Sequence, residues 1–254
     1  TAGLIDATAF TKHIVRGPGA TAFLDWFTCN ALPKIGRINL TYALTPTGTT
    51  RTEYTIVRNG ENDYYLVSAG AWTVYDADYL KKCAEDFMAN GGGYIDIHDV
   101  TTQWGVFAIA GPNSRKILAE LIKDAAPETA LSNKRFPWLS ARRIELGMCP
   151  VNAIRVAYTG ELGWELHHPI EMQRYLWDQL LAAGAKHGMK LVGARAQNWL
   201  RQEKSYRAFG NELGRDATPL EAALDRFVDL SKDFQGKQAM LDVGIRSKCC
   251  TLLI

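Results

Sequence analysis

No charge of one sign dominates this chain: 29 Lys and Arg stand against 27 Asp and Glu, a formal net charge of +2 over 254 residues. So even a balance supplies no global field for nucleic acid or an anionic membrane, and neither is an expected partner. Any anionic ligand has to be held by a few placed side chains. No apolar run reaches the roughly 20 residues that span a bilayer, and no signal peptide is read at the start. Cysteine is sparse and odd in number: Cys29, Cys83, Cys149, Cys249 and Cys250. No pair of them has zinc-ligand or redox spacing, so they read as free, mostly buried thiols in a reducing compartment. The expected location is the cytoplasm, or the mitochondrial matrix in a eukaryote. His13, His98, His167, His168 and His187 show no metal-binding spacing. His167 and His168 alternate across a strand, so they cannot easily share one ion, and no metal is expected. A Gly-x-Gly-x-x-Gly turn, a phosphate loop and a Gly-x-Ser-x-Gly elbow are all missing. Gly91-Gly92-Gly93 follows a helical pattern and reads as its end and a linker.

What is present is ordinary globular material, 47% hydrophobic and 22% charged, enough for one large domain or two small ones sharing a core. Both ends read as cut. Thr1 to Asp6 already reads as a strand, and Thr251-Leu252-Leu253-Ile254 is an apolar β-type run that calls for partners. A piece of a longer polypeptide is expected.

Two halves echo each other. Phe10 to Arg16, then Gly17-Pro18, then Phe23-Leu24 reads as strand, turn, helix. Val106 to Ala110, Gly111-Pro112 and Ile117-Leu118 repeat that order. Tyr54 to Val57 and Tyr64 to Val67 flank Asn59-Gly60, a hairpin signal, and Val74 to Met88 follows as a helix. In the second half Ala153 to Ala157 and Trp164 to His167 flank Gly160 to Gly163, and a helix follows from about Ile170 to His187. The expected class is α+β: two pseudo-repeated antiparallel-sheet/helix units, not a doubly wound parallel sheet. Residues 1–100 form the first repeat, 101–248 the second, and 249–254 begin a further domain. Ala194 to Lys204 reads as a helix. Thr218-Pro219-Leu220-Glu221 reads as a capped helix start.

Three polar stretches invite chemistry. In Tyr158-Thr159-Gly160-Glu161-Leu162-Gly163-Trp164-Glu165, two glycines bound a turn, and Glu165 lies between Trp164 and Leu166. A carboxylate among apolar neighbours needs a partner. A ligand with a donor edge, such as an aminopyrimidine or pterin, is one partner; a strand turning Glu165 to water is the other reading. Gly48 to Thr55 places Glu53 and Thr55 on one strand face, where a carboxylate beside a hydroxyl can orient and deprotonate an amine. An exposed edge strand explains the same pattern. Arg201 to Arg207 offers basic groups for a ligand carboxylate, or a solvated helix face.

These stretches resemble the glycine-cleavage aminomethyltransferase (T-protein) family, and still more the folate domain of dimethylglycine and sarcosine dehydrogenases. The anchors are Pro33 to Arg37, Leu40-Thr41, Leu44 to Gly48, Gly111-Pro112, Tyr158 to Glu165, Leu200-Arg201 with Glu203-Lys204 and Tyr206-Arg207-Ala208, and Thr218 to Ala222. The resemblance implies a ring-shaped fold with a central folate channel. It implies transfer of a one-carbon unit from an iminium or aminomethyl group of a small N-methylated substrate to tetrahydrofolate. A C-terminal β-barrel domain would follow this chain. FAD would belong only to an upstream flavin oxidoreductase domain on the same polypeptide, which oxidises an N-methyl group of dimethylglycine or sarcosine. Carried over by position, Glu53 is the acidic catalytic residue that takes a proton from the folate amine, and Leu40, Thr55, Tyr158, Glu165, Arg201 and Tyr206 bind folate. Glu53 departs from the more common aspartate, and Ser205 and Ala223 replace usual glycines at what read as packing positions. Two alternatives stay open: a free-standing glycine-cleavage enzyme, and a non-catalytic folate-binding regulator.

Overall fold

A computed structural model describes residues 1–252. The strands are β1 (Gly3–Asp6), β2 (Thr11–Arg16), β3 (Ile38–Leu44), β4 (Thr50–Gly60), β5 (Asp63–Ser68), β6 (Asp96–Asp99), β7 (Trp104–Ala110), β8 (Ala141–Leu146), β9 (Cys149–Ile154), β10 (Gly163–Pro169) and β11 (Lys190–Leu191). The helices are α1 (Ala20–Phe27), α2 (Thr73–Ala89), α3 (Ser114–Leu121), α4 (Pro127–Ala130), α5 (Gln173–Ala185), α6 (Ala194–Glu203) and α7 (Lys237–Val243). Among the described residues no helix is long and apolar enough to cross a membrane.

The chain divides into two compact units, one of residues 1–9 with 101–206 and one of residues 10–100 with 207–254. The chain passes between the units after residues 9, 100 and 206, so its two ends lie in the units opposite to their neighbours in sequence. The reason for the first exchange is a long-range strand pairing. β1 pairs antiparallel with β7, Gly3 opposite Ala110 and Asp6 opposite Phe107, so the first strand is fixed to a sheet built a hundred residues later.

In the unit of residues 1–9 and 101–206, six strands run in the order β11-β1-β7-β10-β9-β8. All pairs are antiparallel except β1 with β11. Side chains alternate across a strand, so Phe107 and Ile109 of β7 share a face with Trp164 and Leu166 of β10. That face packs against Ile117 and Leu118 of α3 and Leu176 and Leu180 of α5. Each side chain removed from water this completely contributes about 1.5–3 kcal/mol. Glu165 and His167 are left on the other face.

In the unit of residues 10–100 and 207–254, five strands run β3-β4-β5-β2-β6, all antiparallel. Tyr54 and Ile56 of β4, Leu66 of β5 and Val15 of β2 are buried beneath Phe23, Leu24 and Phe27 of α1 and Leu80 and Ala84 of α2. A second core holds Tyr42 and Leu44 of β3 against Leu213, Ala222, Leu224, Phe234 and Met240 of the later segment. In both units a strand and a helix lead into a three-strand meander, and the meander's last strand pairs back on the first: β5 on β2 and β10 on β7.

Three local expectations come out differently. β4 runs through Asn59-Gly60, pairing Gly60 with Asp63 after a bulge, so the hairpin turns at Glu61-Asn62. Thr218 and Glu221 do form a reciprocal cap: the Thr218 amide donates to Glu221 Oε2 at 2.9 Å and the Glu221 amide to Thr218 Oγ1 at 3.2 Å. The turn they close does not extend into a helix, because Ala223 has φ +57°. Ser205 (φ +58°) is left-handed as well. The two residues that replace usual glycines are thus backbone departures, not packing ones, since this region costs an L-residue about 1–2 kcal/mol. Ala223→Gly is expected to stabilise by about 0.5–1 kcal/mol after glycine's own entropy cost, raising Tm by roughly 1–3 °C in a calorimetric scan. A lowered Tm would show that Ala223 is held by its methyl contacts instead. Thr251 and Leu252 are irregular; the rest of the expected terminal strand, Leu253-Ile254, lies outside the described residues.

Candidate functional site

Glu53 sits in the middle of β4, with Thr55 two residues on and therefore on the same face. β3 runs beside them in antiparallel register. Tyr42 is directly opposite Glu53, and Leu40 directly opposite Thr55. Directly opposed residues point to the same side of a sheet, so Leu40, Tyr42, Glu53 and Thr55 make one four-residue patch. The intervening Tyr54 and Ile56 are fully buried under the helices on the other side. Three residues expected from sequence are thus brought together, and a fourth, Tyr42, was missed. A strand-register argument pairing β3 with β4 would have found it.

The patch has unusual electrostatics for a strand surface. Enclosure pushes the Glu53 carboxyl up from the ordinary carboxylate range to about 7, although the Tyr42 hydroxyl donates a hydrogen bond that works the other way. Tyr42 is 1% exposed, and burial holds its phenol well above its ordinary value, with the Glu53 charge acting in the same direction. The phenol therefore stays a neutral donor throughout the physiological range. A carboxyl poised near neutrality beside a permanent donor is the arrangement expected of a general base.

The remaining expected residues belong to the unit of residues 1–9 and 101–206. Glu165 on β10 is opposite Ala108 of β7 and Ile154 of β9. Its side chain is only 14% exposed, which removes the reading that turns it to water. Its Oε2 lies 3.3 Å from Nε2 of His167, two residues on and fully buried. His167 is thus the partner that a carboxylate among apolar neighbours requires. His168, on the opposite face, stacks on Phe107 with ring centroids 4.7 Å apart.

Tyr158 precedes β10, and its ring stacks on Tyr206, centroids 6.5 Å apart. Gly160 has φ +68°, and a Cβ there would meet the Lys204 stem at 2.6 Å, so the turn and the end of α6 approach closely. Lys204 Nζ lies 3.7 Å from Glu161 Oε1. Arg201 is 1% exposed, which fits neither a solvated helix face nor an open hand for a ligand. Its Nε and Nη2 donate to Asn198 Oδ1 at 2.9 and 2.7 Å, and its Nη1 donates to the Tyr206 carbonyl at 2.8 Å. In this geometry Arg201 fixes the segment that carries Tyr206.

A partly enclosed carboxylate beside an imidazole fits an aminopyrimidine edge, which offers parallel N–H donors, and the Tyr158–Tyr206 pair offers ring faces nearby in sequence. Among the described residues no group of three or more His, Cys, Asp or Glu side chains could hold a metal ion.

Comparison with known proteins places these residues in a family. The model of the GCVT N-terminal domain matches residues 1–232. The mitochondrial dimethylglycine dehydrogenase of Rattus norvegicus is 35% identical over 98% of this chain, which covers 29% of that protein. An aminomethyltransferase of Caldanaerobacter subterraneus is 33% identical over 97% of the chain and 64% of its own length. Among solved structures, the glycine cleavage system aminomethyltransferase T from Bartonella henselae superposes with TM-score 0.79 at 26% identity, covering 95% of this chain and 62% of that one. The chain spans under a third of the dehydrogenase and under two thirds of the aminomethyltransferases it matches. With a mixed α+β fold of two sheets and a family match over most of its length, the chain belongs to the aminomethyltransferase family as a GCVT N-terminal domain.

Proposed function

We propose that this chain performs one-carbon transfer to tetrahydrofolate as the folate half of a flavin-dependent N-demethylase acting on dimethylglycine or sarcosine. The observation that carries the reading is Glu53, a carboxyl brought to about 7 on a strand face shared with Thr55 and Tyr42. In the transfer, a folate amine forms a bond to the iminium carbon, and the C=N electron pair returns to the donor nitrogen. The amine proton passes to Glu53. Closure by the second folate nitrogen expels the donor amine, which takes the proton held by Glu53, while the second nitrogen's own proton passes to the freed carboxylate and from there to solvent, leaving 5,10-methylenetetrahydrofolate. Glu165 and Tyr158 grip the pterin, with Tyr206 beside Tyr158 and Arg201 acting through the Tyr206 segment; Leu40 and Thr55 are the folate-binding residues that flank Glu53. Most of the acceleration is positioning, with Glu53 adding proton transfer.

Similarity to dimethylglycine dehydrogenases over the whole chain but only a fraction of their length supports a flavin domain elsewhere on the same polypeptide, a C-terminal barrel, and a mitochondrial matrix location in a eukaryote. FAD would be bound there and not by this chain. The likeness to free-standing aminomethyltransferases favours a second reading, a glycine-cleavage-type enzyme. A flavin-type glycine fingerprint upstream of Thr1 excludes it. The two meanders are read as copies of one α+β unit.

Titration calorimetry with tetrahydrofolate tests the binding half. Losing a carboxylate that accepts two N–H donors removes about 3 kcal/mol, so Glu165→Ala is expected to weaken affinity roughly 100-fold. Affinity equal to that of the unaltered chain refutes the pterin assignment.

A further inference from the structure

We infer that Tyr42 is a positioning residue for Glu53: its buried hydroxyl, donated across the β3–β4 ladder, fixes the orientation in which the carboxylate meets its reactant. The inference rests on the reading of Glu53 as the base. Glutamate has one more rotatable bond than aspartate, so a carboxylate at this position needs an outside constraint to present one oxygen reproducibly. Tyr42 is built to supply it. Its Cα is paired with that of Glu53 in the ladder. Its backbone is fixed from the other side, where the Cys29 amide donates to the Tyr42 carbonyl at 2.9 Å. Its ring is 1% exposed and meets Phe227 edge-on, centroids 6.3 Å apart, within a core that includes Leu213, Leu224, Phe234 and Met240. A ring so enclosed has one orientation, and its hydroxyl ends on Glu53. The charges that bear on this phenol are Glu53 and, more weakly, the Cys29 thiol and Arg226. The segment after residue 207 thus sets the geometry of a catalytic group on β4 by packing the tyrosine between them.

Tyr42→Phe keeps the ring and deletes the donor. Carboxyl carbon NMR of the ¹³C-glutamate-labelled chain, with Glu53 assigned by loss of its signal in Glu53→Gln, reads the titration directly. In Tyr42→Phe the Glu53 midpoint is expected to move up by about one pH unit, as loss of one hydrogen bond to a charged group requires. Transfer to tetrahydrofolate falls about fivefold at pH 7, as the ionised fraction drops, and recovers as pH is raised, while tetrahydrofolate affinity is unchanged. A merely structural loss does not recover with pH. In the unaltered chain, exchange of the phenol proton for deuterium is expected to shift the Glu53 carboxyl resonance, a readout that needs no variant. An unmoved Glu53 midpoint, or no isotope shift, overturns the inference. Full transfer activity in Glu53→Gln defeats the reading of Glu53 as base, whereas the NMR midpoint decides the role of Tyr42 regardless of that outcome.

Discussion

Glu53→Gln is expected to slow one-carbon transfer by about 10²–10⁴-fold while leaving tetrahydrofolate affinity within a few-fold, because it removes the proton acceptor and keeps the shape. A general base works only when ionised. With a midpoint at about 7, transfer by the unaltered chain should rise with pH through that value and level off above it. The variant should lose that limb. Single-turnover rates from pH 5.5 to 8.5 check both points, and a variant that keeps the limb near 7 would falsify the assignment. Stability gives an independent measurement with a defined sign. The folded chain holds the Glu53 proton up to about 7, whereas an unfolded chain releases it near the ordinary carboxylate value. Across that interval the folded state binds more protons, so stability falls as pH rises, and the penalty is complete above 7. The full shift corresponds to about 3 kcal/mol, and partial solvent access reduces it to roughly 1–2 kcal/mol. Glu53→Gln should therefore be more stable than the parent by that amount at pH 8 and no different at pH 4 in urea titrations.

The same residue shows what the sequence made legible and what it did not. Period-two alternation suffices to put Glu53 and Thr55 on one face of a strand, and family position singled out Leu40. That Leu40 stands opposite Thr55, and Tyr42 opposite Glu53, depends on the β3–β4 register. Register is set by the turn and its bulges, which spacing alone does not reveal; the neighbouring hairpin turned at Glu61-Asn62 for the same reason. His167 was legible, being two residues past Glu165 on one strand, yet asking only about metals passed over it as a carboxylate's partner. The solvated reading of Arg201 does not hold. An arginine on a polar helix looks solvated or ligand-facing, and nothing local signals that Asn198 and the Tyr206 carbonyl enclose it. The exchange of chain ends between units is equally non-local. β1 is four residues whose partner, β7, begins a hundred residues downstream.

The reciprocal hydrogen bonds at Thr218 were legible, although the helix expected after them is not there, and their energetic weight was not, because Arg246 reaches Glu221 from 25 residues away. Glu221 is 3% exposed and accepts the Thr218 amide at 2.9 Å, the Arg246 amide at 3.1 Å, and Arg246 Nε and Nη2 at 2.8 and 2.9 Å. The Arg246 guanidinium, foremost, holds its carboxyl down to about 2. Glu221→Ala leaves a buried amide and a guanidinium without their acceptor, so a loss of about 3 kcal/mol is expected. Arg246 is 56% exposed, so water compensates much of its side, and Arg246→Ala should cost less than Glu221→Ala. The sign with pH is opposite to that of Glu53. An unfolded chain takes up the Glu221 proton near the ordinary carboxylate value, whereas the folded chain resists until about 2. The contribution is therefore complete at neutral pH and is lost as pH falls through that window. Urea titrations of the parent and Glu221→Ala should differ most at pH 7 and converge towards pH 2–3. A difference that stays constant with pH would mean that the side chain's packing, not its charge, carries the effect. Because this clamp orders the segment whose Ala222 and Leu224 pack beside Tyr42, a destabilised cap should also loosen the phenol. Glu221→Ala should then move the Glu53 midpoint upward, in the same direction as Tyr42→Phe and by less.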